Sequence, residues 1–596
     1  MSEKFNGGKE YTVSEVIDSF GINGHTWLMF ILLGLANIFD GYDFMIVNST
    51  NTFLAPSFGL ETAAQVGSLT TWGLLGMVLG GAVGGAMSDR IGRKRMLVIA
   101  VIFYGLFTLP QAFSNTLGMF AVWRLIAGFG VGSCIPIVTT CFSETIPSKN
   151  RGVFVTFGMA FMVAGWVLAG LIAAPICNAA GPIIPGLCDN QITTSTGVTV
   201  YENWRVCYLI GALPIIYGIV LIFAMHETPH WFANQGRKED AAKALEGIEK
   251  RTTGGHHEYD PNLMIVPPKP KNTSPAVLFS NKYIVATAAI WCTYFVGQFC
   301  VYGMNAWIPT WFQNMGYTPA QSVNLQTWNN VAAILSNVSV GFVSDRIGRK
   351  KNLAASWIAC IIAIVICSFV IQYDPTQSKL VLYVILMLLF GYCLNYAITA
   401  VQPLMPESYP TSIRNTGVAW CQAFARFGGS GSSIVLGAFA TALVIDNPAL
   451  SSTDPAAIAA VQAAQAAGNP LAATIPNWSI VVLVLCIPFA LGFVCTLLFV
   501  RETGGKTMDQ LAAEAGNDDA NDTGTVKFTI MMIIVLLLAV LCIVLPLLPA
   551  GTFGVDATGA PLAFSKTPMA LPLMSIGMLL PFVFFFIFAT PQIKKS

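Results

Sequence analysis

Apolar runs of about 20 residues recur along the whole of this 596-residue chain. As helices rising about 1.5 Å per residue, such runs each cross a hydrocarbon layer roughly 30 Å thick. Inside lipid, every backbone N–H and C=O has to find its partner within the protein. A chain made of such runs is therefore confined to a bundle of membrane-crossing helices. Only 10% of the residues are charged, against about 25% in soluble domains, so most of the surface is not suited to water. A net charge of +1 offers no basic face to a nucleic-acid partner. The expected surroundings are a lipid bilayer, and the expected fold class is an all-α polytopic membrane protein.

Fourteen spans are read from the hydropathy pattern. Six run approximately 26–48, 65–87, 96–113, 118–140, 153–174 and 206–226. Six more run approximately 284–305, 323–343, 353–372, 380–402, 416–443 and 478–500. Two further spans lie near 528–549 and 568–590. The chain then divides into an N-terminal tail (1–25), a first six-helix half (26–226), a linker (227–283), a second six-helix half (284–503), a hydrophilic linker (504–527), and an extra helix pair with a short tail (528–596). The first linker includes a run from Gly236 to Arg251 suited to a charged surface helix. The second is acidic around Asp518, Asp519 and Asp522. The polar stretch from Met1 to about His25 lacks a short apolar core with a small-residue cleavage site, so no cleaved leader is expected. Both tails and the even-numbered loops hold about 26 Lys and Arg, and the other side about two, Lys379 and Lys566. That asymmetry places both termini in the cytoplasm of a plasma or inner membrane.

The chain repeats itself. Ser88-Asp89-Arg90-Ile91-Gly92-Arg93-Lys94 recurs as Ser344-Asp345-Arg346-Ile347-Gly348-Arg349-Lys350, each copy following the second span of its half. Glu144-x-x-Pro147-x-x-x-Arg151 recurs as Glu407-x-x-Pro410-x-x-x-Arg414, each after the fourth span. Two halves with the same motifs in the same loops describe a duplicated transporter. Gly84-Gly85-Ala86-Met87 leading into Asp89, Arg90 and Arg93 resembles the signature loop of the major facilitator superfamily, and the resemblance covers spans one to twelve, roughly residues 26 to 503. It implies two six-helix halves that rock about a central site. It also implies that Asp89, Arg90, Arg93, Asp345, Arg346 and Arg349 help latch the halves in one conformation. From the residues alone, the Asp ends a helix, Gly allows a sharp turn, and the cations fix topology. Glu144 with Arg151, and Glu407 with Arg414, read most simply as structural ion pairs at span ends.

Charges within the spans are few, and each is costly, about 2.5–3.5 kcal/mol on insertion scales. Asp40 and Asp43, in Asp40-Gly41-Tyr42-Asp43, stand three apart on the first span and share a helix face. Two neighbouring buried carboxylates do not both ionise easily, so the pair either carries a proton or is neutralised by arginines for structure. Arg124 opens Arg124-x-x-x-Gly128-x-Gly130-x-Gly132 in the fourth span, whose glycines suit close helix approach. Because Arg keeps its charge, it pairs statically with one of these aspartates or exchanges between them and an anionic solute. Arg426 in the eleventh span has no obvious acidic partner in its half. It marks an anion site, or else snorkels from a cytoplasmic span end. Gln298, Tyr302, Asn305, Trp328, Asn329, Asn395 and Tyr396 would line a cavity of amides and rings. Singly, each reads as packing.

Asp40-Gly41-x-Asp43, Arg124 and Arg426-Phe427-Gly428 resemble the aromatic acid:proton symporter group of that superfamily. The resemblance implies proton-coupled symport of a small organic anion, an aromatic carboxylate, with Asp40 and Asp43 as the coupling pair. Phosphate symporters share a paired-Asp first helix and sugar porters share the Glu/Pro/Arg echoes, so a sugar, polyol or phosphate transporter is the alternative. A non-transporting sensor fits less well, since both loop motifs are intact.

An enzyme is not expected, because no nucleotide loop and no nucleophile–base set is visible. The 14 cysteines form no CxxC pair or metal cluster. No cofactor or metal is expected, and a proton is the coupling ion. Cys177 and Cys188 share one polar loop and either pair as a disulfide there or stay free.

Overall fold

The computed structural model describes residues 10–60, 63–147, 151–194, 198–252, 259–266, 275–280, 283–374, 376–409, 413–446, 474–500 and 502. The expected helix pair near 528–549 and 568–590 lies outside them. In the first half the described helices are α1 (Val13–Phe20), α2 (Gly24–Ser57), α3 (Ala63–Ile91), α4 (Arg93–Thr108), α5 (Leu117–Thr145), α6 (Arg151–Cys177), α7 (Trp204–Ile210) and α8 (Pro214–Ala224). After it come α9 (Pro229–Asn234) and α10 (Lys238–Thr252). The second half holds α11 (Ile284–Asn314), α12 (Pro319–Ile347), α13 (Arg349–Val370), α14 (Leu380–Val401), α15 (Leu404–Glu407), α16 (Arg414–Ala442), α17 (Trp478–Leu483) and α18 (Cys486–Phe499).

Among the described residues, ten segments are long and apolar enough to cross a membrane by composition alone. α12 and α16, 29 residues each and richer in Asn, Ser and Gly, complete the two sets of six. The starts are set locally. Asn23 and Thr116 cap α2 and α5 through side-chain oxygens, and Thr318 closes a capping box with Gln321 at α12. The sixth crossing breaks at Gly211–Leu213 and restarts on Pro214, whose ring suits a first helical turn.

The duplication is visible in the packing. The first and fifth crossings of each half lie together (α2 with α6, α11 with α16), as do the second and fourth (α3 with α5, α12 with α14). Small residues allow this. A Cβ added at Gly128 of α5 would stand 2.2 Å from the Gly73 carbonyl oxygen of α3. The glycine run after Arg124 therefore lets two backbones touch, where lipid offers no hydrophobic drive between helices. Between halves, α3 packs on α16, α6 on α12 and α2 on α11.

Outside the bundle, the end carrying the signature loops bears a small domain of its own. β1 (Tyr11–Thr12) pairs in parallel with β4 (Met264–Ile265). α1 lays Val13, Val16 and Ile17 against Ala241, Ala242 and Leu245 of α10. At the other end, β2 (Gln191–Thr193) and β3 (Thr199–Tyr201) form a hairpin, and β5 (Val444–Asp446) pairs antiparallel with β6 (Thr474–Pro476). Described cysteines are all free thiols. Cys177 faces Cys207, with sulfurs 3.9 Å apart, instead of Cys188.

Candidate transport site

Three charged groups sit deep in the bundle, and the structure gives each a different setting. Asp43 and Arg124 form a closed pair. An Arg124 guanidinium nitrogen lies 2.9 Å from the Asp43 carboxylate, and both side chains are almost wholly buried. Arg124 also donates to the Asp43 backbone carbonyl at 2.7 Å, while Thr108 of α4 donates to the other Asp43 oxygen at 2.7 Å. Of the two partners expected for Arg124, Asp43 is the one in place.

Asp40 is different. It is 1% exposed, and neither carboxylate oxygen has a hydrogen-bond partner. No ion pair to it occurs among the described residues. Tyr104 of α4 and Cys134 of α5 face it without closing a bond of good geometry. Three residues along one helix thus lead to two environments, one with a cation and one without.

Arg426 lies midway along α16, not at its end, so it does not snorkel from a span terminus. It reaches across the boundary between halves and donates to the Met77 carbonyl of α3 at 3.3 Å. No carboxylate pairs with it among the described residues. Tyr302 and Tyr294 of α11 lie within its electrostatic reach. Tyr302 continues into an aromatic wall: its ring centroid is 4.9 Å from Phe44 of α2, which is 5.8 Å from Trp166 of α6. Two buried polar atoms beside this wall lack partners, Gln298 Oε1 and Trp166 Nε1.

The remaining amides and rings go elsewhere. Asn329 donates to Asn305 at 3.4 Å, joining α12 to α11. Asn395 bonds to the Gly391 carbonyl of its own helix, and Tyr396 donates to Asn352 of α13 at 2.8 Å. Trp328 is 43% exposed, on the same side of α12 as the exposed Leu335. So Gln298 and Tyr302 join Arg426, whereas Asn305, Asn329, Asn395 and Tyr396 serve packing and Trp328 faces outward. Phe44, Tyr294 and Trp166 were missed. In apolar spans aromatic residues are too common to single out without knowing which face they occupy.

The signature loops form two matching networks. Arg93 binds Asp89 at 2.5 Å and Glu144 at 3.3 Å. Arg349 binds Glu407 at 2.6 Å. The glutamates therefore pair with the loop arginines Arg93 and Arg349. Arg90 and Arg346 are exposed. The side chains of Asp345, Arg151 and Arg414 fall outside what is described.

A third member completes each network. Glu227 accepts from the backbone N–H groups of Arg93 and Lys94, and Glu502 from those of Arg349 and Lys350. Each carboxylate sits on a helix N-terminus, where the dipole favours negative charge. Gly92 and Gly348, at φ of 120° and 95°, make the sharp entry to those helices, a conformation other residues avoid. The overlooked signal was a Glu-Thr echo, Glu227-Thr228 and Glu502-Thr503, after the last crossing of each half. Burial pushes the Glu227 carboxyl up from its ordinary value, against the opposing pull of these N–H groups.

The contacts between halves described here lie from the level of Arg426 toward the end away from the loops. Asn51 donates to the Ala306 carbonyl at 2.5 Å, Ser49 to Gln326 at 3.2 Å, and Thr71 to the Ser430 carbonyl at 2.7 Å. A Cβ at Gly170 of α6 would meet Thr327 of α12. Two repeated halves that touch at one end are compatible with alternating access by rocking about a central site.

The sequence profile of the Major Facilitator Superfamily matches residues 33–433. The chain belongs to this superfamily. It is a transporter, not an enzyme. Similar proteins include a gallate transporter of Pseudomonas putida, 27% identical, with 72% of this chain and 88% of the relative covered. The 4-hydroxybenzoate transporter PcaK of Acinetobacter baylyi is 28% identical over the same shares. The niacin transporter NiaP of the same organism is 28% identical over 70% and 88%. Among solved structures, the xylose transporter XylE from E. coli superposes with a TM-score of 0.58 at 17% identity, covering 81% of this chain and 99% of that one. That likeness establishes the fold.

Proposed function

We propose that this superfamily member is a proton-coupled symporter of a small organic anion, an aromatic carboxylate, in a plasma or inner membrane with both termini cytoplasmic. The observation that carries this is Arg426. It is a mid-bundle guanidinium with no carboxylate among the described residues, set beside the Tyr302–Phe44–Trp166 wall. A half-buried cation at mid-membrane calls for an anion. Guanidinium and carboxylate match in shape and donor geometry, and a planar ring suits an aromatic wall with free polar atoms at its edge. The similar gallate and 4-hydroxybenzoate transporters support this solute class. A neutral sugar or polyol would leave Arg426 without a counter-charge.

Asp40 takes the proton. With no cation beside it and only the neutral Tyr104 and Cys134 side chains facing it, Asp40 is neutralised by a proton, whereas Asp43 is already neutralised by Arg124. Asp40 and Phe44 stand four apart on α2, so one helix carries both the proton site and part of the solute wall. Arg124 donates to the Asp43 carboxylate and to the Asp43 and Phe44 carbonyls, and acts as a fixed brace. The excess of Lys and Arg around the signature loops supports a cytoplasmic position for that end, and the contacts at the other end then correspond to an inward-facing state.

Uptake of labelled 4-hydroxybenzoate, with and without an uncoupler, tests this reading. Wild type is expected to show gradient-dependent uptake. Arg426→Ala is expected to raise KM at least about tenfold, the loss of one charge-assisted bond. Asp40→Asn is expected to abolish accumulation while leaving solute exchange. Failure of well-expressed wild type to take up any aromatic acid would sink the assignment.

A further inference from the structure

A cavity of about 370 Å³ opens at the signature-loop end of the first half, well away from Arg426. Its walls come from α1, the start of α2, the end of α5, residues 226–232 and α10. Ile17, Phe20, Met29, Phe232 and Ile248 make the apolar part. Its volume falls at the lower end of the range for small-molecule sites, about 300–1,000 Å³.

The lining carries three acids and two cations, and the cations, Lys243 and Arg251, are solvent-exposed. Each acid is already engaged. Glu144 holds Arg93 and Thr228, Glu227 holds three backbone N–H groups, and Asp240 holds Arg237. The cations are not matched in this way. Lys243 has no ion pair among the described residues. Arg251 points two guanidinium nitrogens at the two ring nitrogens of His226, at 3.0 and 2.8 Å. A neutral imidazole accepts at only one nitrogen, so one Arg251 donor faces an N–H instead of an acceptor. Burial, and then Arg251 itself, push the His226 value down, which keeps that ring neutral. His25 adds a buried Nδ1 with no partner. An apolar pocket with two exposed cations that no carboxylate holds, and an unpartnered His25 nitrogen, suits an anion with a flat apolar body.

We propose that this cavity is a second, regulatory site for a small aromatic carboxylate, through which solute that has already crossed restrains further transport. The ligand's carboxylate meets Arg251 and Lys243, and its ring meets Phe20 and Phe232. Glu144 and Glu227 form part of the same wall and also hold Arg93, and Thr228 donates to Glu144. An occupant therefore buttresses the loop network of the first half in its present arrangement. That the regulator resembles the cargo rests on the proposed function. That the cavity takes an apolar-bodied anion does not.

Equilibrium binding of 4-hydroxybenzoate to the detergent-purified full chain tests this. Wild type is expected to bind two molecules per chain. Lys243→Ala/Arg251→Ala is expected to bind one, with the KM for external solute unchanged. Gly247→Phe, which fills the cavity from a position where a new Cβ meets nothing within 4 Å, is expected to do the same without removing charge. One molecule retained by Arg426→Ala and lost on adding Gly247→Phe supports the cavity site, even if wild type transports no aromatic acid. Loss of all binding in Arg426→Ala alone, or two molecules still bound by both cavity variants, overturns it.

Discussion

Asp40 and Asp43 show how far a single residue's role depends on what its neighbours bring. Removing Asp43 strands Arg124, an uncompensated charge in the bundle, and is expected to cost about 3–5 kcal/mol. Asp40→Asn strands nothing and is expected to change stability by less than about 1 kcal/mol. Thermal melting of the two purified variants checks this contrast, and equal losses would refute the two-environment picture. That both aspartates, Arg124 and Arg426 lie within the bundle was legible because charge is rare in these spans. Which aspartate meets the arginine was not. It depends on the rotation of α2 against α4 and α5, which a three-residue spacing leaves open. The same limit explains Asn395 and Tyr396. Their chemistry suits a ligand, but their helix turns them toward Gly391 and Asn352.

At the level of elements, the helix ends and crossings were largely written in caps, prolines and glycines. The observed crossings fall within a few residues of the expected spans, apart from longer ends such as α2 to Ser57 and α11 to Asn314. Gly128→Ala should force α5 off α3 at the Gly73 carbonyl, with an overpacking loss of about 1–3 kcal/mol. Detergent melting measures it. Glu227 gives a prediction with a definite sign. Its folded-state value lies above its ordinary one, so the folded chain binds that proton more readily than the unfolded chain. The stability it contributes is present at low pH and is lost as pH rises through the raised value. Wild type should therefore lose melting temperature relative to Glu227→Gln as pH climbs out of the ordinary carboxylate range. An unchanged difference across that window would contradict it. The Glu227 network escaped the sequence reading because a two-residue echo is too short to trust until both copies are seen on helix N-termini.

The described bundle is two copies of one design, and the described contacts between them lie toward one end. The repeat made that duplication readable, because identical loops in identical places leave little room for another fold. The sequence did not reveal which end is closed, since either state satisfies the same motifs. Gly170→Cys with Thr327→Cys should cross-link the halves under oxidant, because a Cβ at residue 170 would lie 3.2 Å from that of Thr327, near the roughly 3.5–4.5 Å of natural disulfides. Uptake should stop on oxidation and return with reductant. Uninterrupted uptake by the cross-linked protein would mean that this contact does not open during transport.

The bond from Arg426 to the Met77 carbonyl has a consequence for pharmacology. Here the guanidinium of one half rests on the backbone of the other, so a cargo that claims Arg426 competes with a strut between the two. On the proposed function, loading and loosening become the same event. A molecule that takes the guanidinium while also supplying a donor of its own to the Met77 oxygen would restore the strut as it binds. Such a compound would act as a wedge left in the hinge: recognised like cargo, yet unable to be carried.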